Sequence, residues 1–248
     1  MAIYSIHGGH NSFVQGANYG GRKEHIMDRQ VKDAVIAKLR ALGHTVYDDT
    51  DESGTSQNAN LNNIVAKCNS HYVDLVVSIH LNAFNTVANG VEVLYYDQKA
   101  LAAKVSAQLA KDIGWKDRGA KPRTDLAVLA NTKAPAILIE CGFIDNEADM
   151  QKWHVDRIAN SIVFALTGQT SSGGGTTEPA KQNIVQTGAF GRDHMPDVAG
   201  ALTSVKMTGK FILQGDGLVY VLSDPTSDVQ LKAFTEYLDR KGWWYQVK

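Results

Sequence analysis

Two short stretches constrain this chain most. VDLVVSIH at residues 73–80 and AILIE at 136–140 are largely apolar, and each ends on an ionisable side chain. Continuous apolar runs of this length suit strands covered on both faces, as in a mostly parallel sheet packed between helices. The segments around them read as those helices. In EHIMDRQVKDAVIAKLRALGH (24–44), Met27, Val31, Val35, Leu39 and Leu42 recur at three- and four-residue steps, and Gly43 follows as a stop. NLNNIVAKCNS (60–70) sets Leu61, Ile64, Val65 and Cys68 on one helical face, and KALAAKVSAQLAKDIG (99–114) and VDRIANSIVFALTG (155–168) are amphipathic in the same way. AIYSI (2–6), TVYDD (45–49) and GVEVLYYD (90–97) read as further strands. Strands alternating with helices predict an α/β layer fold, a mostly parallel twisted sheet flanked by helices.

In sheets of that kind chemistry gathers at the carboxyl ends of the strands. His7 and His10, in SIHGGHNSF (5–13), follow the first expected strand; His80 ends the run 73–80, and Glu140 ends the run 136–140. A histidine after Val76, Val77 and Ile79, or a carboxylate directly after Ala-Ile-Leu-Ile, is costly without a partner. Two histidines and one carboxylate form a ligand set that zinc uses when a fourth position stays open for water, and a second carboxylate then serves as base. Glu24 taken alone reads as a first-turn helix acid favoured by the dipole. A phosphate loop fits poorly, because HGGHNSFVQGANYGG contains neither G-x-G-x-x-G nor a Gly-Lys-Ser/Thr ending. Cys141 neighbours Glu140 and so points to the other face of its strand, toward the core. From the residues alone, His7 and His10 both remain candidates.

Composition then divides the chain. TGQTSSGGGTTEPAKQ (167–182) carries no apolar anchor and reads as a flexible tether, so we expect domains at 1–167 and 183–248 joined by a linker at 168–182. Seven of the eight histidines precede residue 160, which places histidine chemistry in the first domain. A net charge of −1 gives no basic surplus for nucleic acid. Two cysteines are too few for a disulfide framework, and no stretch approaches the roughly 18 to 20 apolar residues of a membrane span. MAIYSIHGG has neither a basic start nor a long apolar stretch, so the expectation is a protein made in the cytoplasm without a signal peptide. Residues 183–248 read as a small α+β domain of β-α-β-β-α-β order, with QGDGL as a hairpin turn. Trp243, Trp244 and Tyr245 near its end suit either sugar binding or the core.

GGHNSFVQGA (8–17), KEH (23–25), SIHLNA (78–83) and APAILIECGFIDNEAD (134–149) together resemble the zinc-dependent N-acetylmuramoyl-L-alanine amidases of the amidase-3 type, over about residues 1–167. The resemblance implies Zn²⁺ held by His10, Glu24 and His80, with Glu140 as the catalytic glutamate. His10 matches the first ligand because Gly16-Ala17 follows it at the family's spacing. His7 stands where the family often has an aspartate, and is expected to line the cleft. Asn82 and Asn146 would shape loops; Arg118 or Arg123, in DRGAKPRTDLAVL (117–129), would either touch substrate or belong to a basic surface loop. Residues 183–248 resemble the cell-wall-binding domains of endolysins from phages of Bacillus-type hosts. The implied function is hydrolysis of the bond between N-acetylmuramic acid and L-alanine in bacterial peptidoglycan, which would lyse the wall after release from the host cytoplasm. The implied partners are peptidoglycan and an associated wall polymer. A zinc peptidase cutting within the stem peptide, or a wall-binding protein without catalysis, are the alternatives.

Overall fold

Side-chain alternation along the strands sorts the first unit into layers. In this computed structural model, which describes residues 1–170, 183–205, 207–226 and 228–248, the chain forms two compact units, Met1–Gly173 and Gly174–Lys248. Beyond Thr170, the expected linker lies outside the described residues.

The first unit runs β1 (Ile3–Gly8), β2 (Asn18–Tyr19), β3 (Arg22–Lys23), α1 (Glu24–Ala41), β4 (Thr45–Asp48), α2 (Gln57–Cys68) and β5 (Leu75–Asn82). It continues through β6 (Val91–Tyr95), α3 (Lys99–Ile113), β7 (Asp117–Pro122), α4 (Ala127–Asn131), β8 (Ala136–Phe143), α5 (Glu147–Met150) and α6 (Val155–Thr167). Six strands make one sheet in the order β4-β1-β5-β8-β6-β7. The four from β4 to β8 are mutually parallel; β6 runs antiparallel to β8 and β7 parallel to β6. The expected mostly parallel sheet is therefore present, with a reversed pair at one edge.

Ile6, Val77, Ile79, Val93, Ile137, Ile139 and the fully buried Cys141 face one side, where Val31, Val35 and Leu39 of α1, Leu109 of α3 and Ile158 and Ile162 of α6 cover them. The opposite face carries Val76, Leu94 and Leu138 against Ile64 and Cys68 of α2 and Val128 and Leu129 of α4. That second layer is the smaller one, so it leaves the carboxyl end of its face open. Ser5, His7, Ser78, His80, Glu92 and Glu140 fall on this face by the period-two rule.

Three strands extend past their expected ends. β1 reaches Gly8, β5 reaches Asn82 and β8 reaches Phe143, so His7 sits inside its strand rather than after it, and His80 and Glu140 precede the last residues of theirs. Residues 117–122, for which the sequence left substrate contact or a basic surface loop open, form the edge strand β7.

The second unit follows the expected order: β9 (Val185–Thr187), α7 (Met195–Ser204), β10 (Gly209–Leu213), β11 (Val219–Ser223), α8 (Asp228–Lys241) and β12 (Tyr245–Val247). Its four strands are antiparallel in the order β10-β11-β9-β12, and Gln214 N–H donates to Leu218 O across the QGDGL turn. Its separate core holds Val185, Val198, Val221, Phe234 and Leu238. Trp243 stacks on Phe190 with ring centroids 5.3 Å apart, whereas Trp244 is exposed.

Candidate active site

Glu24 opens α1, where backbone N–H groups favour a carboxylate. The helix start lies over the carboxyl edge of the sheet, and this brings Glu24 to His10 and His80 across 14 and 56 residues of chain. Glu24 Oε1 lies 3.0 Å from His80 Nδ1 and accepts from Leu81 N–H at 3.1 Å. Its Oε2 lies 3.5 Å from His10 Nε2 and accepts from Ala17 N–H at 2.7 Å. One ligand atom from each of His10, Glu24 and His80 falls within 4.8 Å of the others.

Two glycines make that convergence possible. A Cβ on Gly9 would stand 1.9 Å from His80 Cε1. One on Gly16, whose φ is +70°, would stand 2.4 Å from Glu24 Oε2 and 2.5 Å from His10 Cδ2. His10 itself adopts φ 57°, a left-handed conformation uncommon outside glycine. Arg29, from the second turn of α1, holds it there. Nη1 donates to Gly9 O at 2.6 Å and Nη2 to His10 O at 2.7 Å, while Nε donates to Glu52.

Glu140 is the cross-strand neighbour of His80 in the β5/β8 pair. Among the described residues its buried Oε2 has no hydrogen-bond partner, and burial lifts the carboxyl to about 7. Burial lowers His10 to about 4, which keeps its ring neutral with a lone pair to offer. Burial also opposes charge on His80, yet the hydrogen bond and charge of Glu24 raise it to about 9. The electrostatics thus tie Glu24 to His80 and leave Glu140 ready to take a proton.

His10, His80 and Glu140 rim a cleft of about 330 Å³, walled by Leu61 and Ile64 of α2, Leu94 and Leu138 of the sheet, and residues 126–128. His7 lines it but lies outside the three-residue cluster. It is fully buried in β1, its Nδ1 is 3.8 Å from Cys68 Sγ, and burial drives it down to about 3. Asn146 shapes a loop as expected, capping α5 and donating to Thr86 O, whereas Asn82 lies in β5 and its Nδ2 donates to Glu92 on β6. Arg123 lines the cleft, paired with Asp125; Arg118 pairs with Glu92. Arg29 and Glu92 were not singled out from sequence. The groups Arg29 holds at the site are backbone carbonyls, which leave no sequence signal, but Glu92 lies in an otherwise apolar run, and that oddity is the kind that marks Glu140.

Comparison with known proteins gives an independent reading. Residues 2–167, more than half the chain, match the family described as N-acetylmuramoyl-L-alanine amidase, and residues 204–247 match the PlyG cell wall binding domain. The chain is 30% identical over 152 residues to the N-acetylmuramoyl-L-alanine amidase LytC of Bacillus subtilis, covering 58% of this chain and 30% of LytC. It is 29% identical over 166 residues to the endolysin of Bacillus phage SPP1, covering 62% and 59%. Each match thus spans less than two thirds of that relative's length. Among solved structures, the catalytic domain of the CD27L endolysin targeting Clostridia difficile superposes with a TM-score of 0.62 at 28% identity, over 68% of this chain and 99% of that one.

Proposed function

The chain belongs to the N-acetylmuramoyl-L-alanine amidase family, and from that premise we propose that it hydrolyses the amide joining N-acetylmuramic acid to L-alanine in peptidoglycan, as a zinc enzyme. The observation that carries the proposal is the meeting of His10, Glu24 and His80 beside the unpartnered Glu140 Oε2. The donor set fits the ion. Zinc takes N and O ligands at about 2.0 to 2.2 Å, so neighbouring ligands on a tetrahedral site stand roughly 3.3 to 3.5 Å apart. The histidine nitrogens lie 3.0 and 3.5 Å from the two different oxygens of Glu24, and one ligand atom from each residue falls within 4.8 Å of the others, a cluster of the donor type such an ion takes.

His10, Glu24 and His80 would hold the zinc ion, which would supply Lewis acidity for the scissile carbonyl and for a water. The protein's own groups do the rest. Glu140 accepts the proton of the attacking water at its unpartnered oxygen, then returns it to the nitrogen of L-alanine as the amide bond breaks. Its raised affinity for protons suits both steps. His7, neutral and buried, helps form the cleft and carries no charge into it. The apolar walls limit water around the reacting groups.

We assign residues 1–167 to catalysis, 168–182 to a tether and 183–248 to binding a wall polymer; the match at 204–247 supports the last. A tethered binding unit raises the catalytic unit's concentration at an insoluble substrate. The site of action is then the bacterial cell wall, after release from the cell that makes the protein. Among the described residues no helix is long and apolar enough to cross a membrane.

The test pairs metal analysis with Glu140→Gln. Protein purified without added metal should carry zinc, and chelation should abolish release of amines from purified peptidoglycan. Glu140→Gln should retain the metal and lose about 10²- to 10⁴-fold in rate, the usual worth of a general base. Undiminished release by Glu140→Gln, or by the chelated protein, would contradict the proposal.

A further inference from the structure

One row of side chains crosses the sheet on the open face. His80 on β5 pairs with Glu140 on β8, Glu140 pairs with Glu92 on β6, and Arg118 reaches Glu92 from β7. Its two ends differ in kind: one holds the metal-ligand set, and the other ends in a guanidinium.

That guanidinium is held in place with its far end unused. Arg118 Nε donates to Glu92 Oε2 at 2.7 Å, and its Cζ lies 4.9 Å from the centroid of the Phe143 ring. Glu92 is fixed in turn by Asn82 Nδ2, which donates to Oε1 at 3.0 Å. Among the described residues, the Nε bond is the hydrogen bond Arg118 makes, so Nη1 and Nη2 stay free on a side chain 30% exposed. Arg123 differs, since Nε and Nη2 both donate to Asp125. A guanidinium fixed along one edge with two parallel N–H groups free matches a planar carboxylate.

The substrate chemistry says where such a carboxylate lies. The one carboxyl of N-acetylmuramic acid is consumed in the scissile amide, so free carboxylates belong to the stem peptide. Adjacent strands stand about 4.8 Å apart, which puts the Arg118 backbone roughly 10 Å from that of Glu140. An extended peptide covers about 3.3 Å per residue, so two or three stem residues span that gap.

We propose that Arg118 binds a free carboxylate of the stem peptide on the leaving-amine side, laying the stem across β6 and β7. This rests on the amidase reading above. It also orients the substrate: the glycan then lies on the side of α2 and residues 9–17.

The test uses two soluble muropeptides, one with free stem carboxylates and one with those carboxylates converted to primary amides. Wild type should favour the free acid about tenfold or more in kcat/KM, mainly through KM, as expected for a charged hydrogen-bonded pair. Arg118→Gln should abolish that preference, and Arg118→Lys, which keeps the charge without the fork, should retain part of it. Equal use of both substrates by wild type would overturn the proposal, as would an unchanged preference in Arg118→Gln. Should Arg118→Gln fail to fold by circular dichroism, a full preference in Arg118→Lys would overturn it equally. Release of no amine from either substrate by wild type would sink the amidase reading with it.

Discussion

At the scale of single residues, the site depends on side chains that are absent or that never touch substrate. Gly9 and Gly16 leave the space in which His80, Glu24 and His10 meet. Gly9→Ala and Gly16→Ala should each lower kcat/KM at least about a hundredfold, since misplacing reacting groups by about 1 Å costs that much. Zinc content should fall in both, and a variant that kept metal and rate would show the contacts to be slack. Arg29→Ala removes two charged hydrogen bonds to consecutive carbonyls and should cost about ten- to a hundredfold in activity. Arg29→Lys should not rescue it, because an ammonium cannot serve two carbonyls in fixed geometry. Residue chemistry made His80 and Glu140 legible in the sequence, since each is an ionisable group attached to an apolar run. Glu24 was not legible that way. It looks like any first-turn acid, and only resemblance to a family picked it out. Arg29 left no trace because the groups it holds at the site, Gly9 O and His10 O, are backbone atoms.

At the scale of elements, period and length identified the four long helices α1, α2, α3 and α6 and five of the six strands of the first unit's main sheet, but not the short α4 and α5. The positions of strand ends were less legible, because His7, His80 and Glu140 break the apolar pattern while the backbone stays extended. β7 escaped notice for a different reason. DRGAKP combines Gly, Pro and three charges, a composition disfavoured in strands and tolerated at an edge. Strand direction is not written in periodicity at all, so the reversal of β6 and β7 emerged only from the structure. That reversal has a consequence for the site. The antiparallel register sets Glu92 beside Glu140, and through Glu92 it positions Arg118.

At the scale of the whole molecule, the two units have separate cores, which permits catalysis and wall binding to be altered independently. Phe234 is fully buried in the second core, and truncating such a side chain costs about 3–5 kcal/mol. Phe234→Ala should therefore abolish sedimentation with purified walls while turnover of a soluble muropeptide stays at the wild-type level. Loss of both together would mean that the second unit is needed for catalysis itself. The division into two units was readable as composition, and the β-α-β-β-α-β order of the second unit as pattern. Which of Trp243, Trp244 and Tyr245 packs inward was not readable, because the three lie side by side. The account as a whole rests on which bond is cut, and fragment masses from digested peptidoglycan address that most directly. Cleavage as proposed yields glycan strands bearing free lactyl carboxylates and stem peptides whose new amino terminus is L-alanine. Fragments with a new amino terminus deeper in the stem, or intact peptidoglycan, would contradict it.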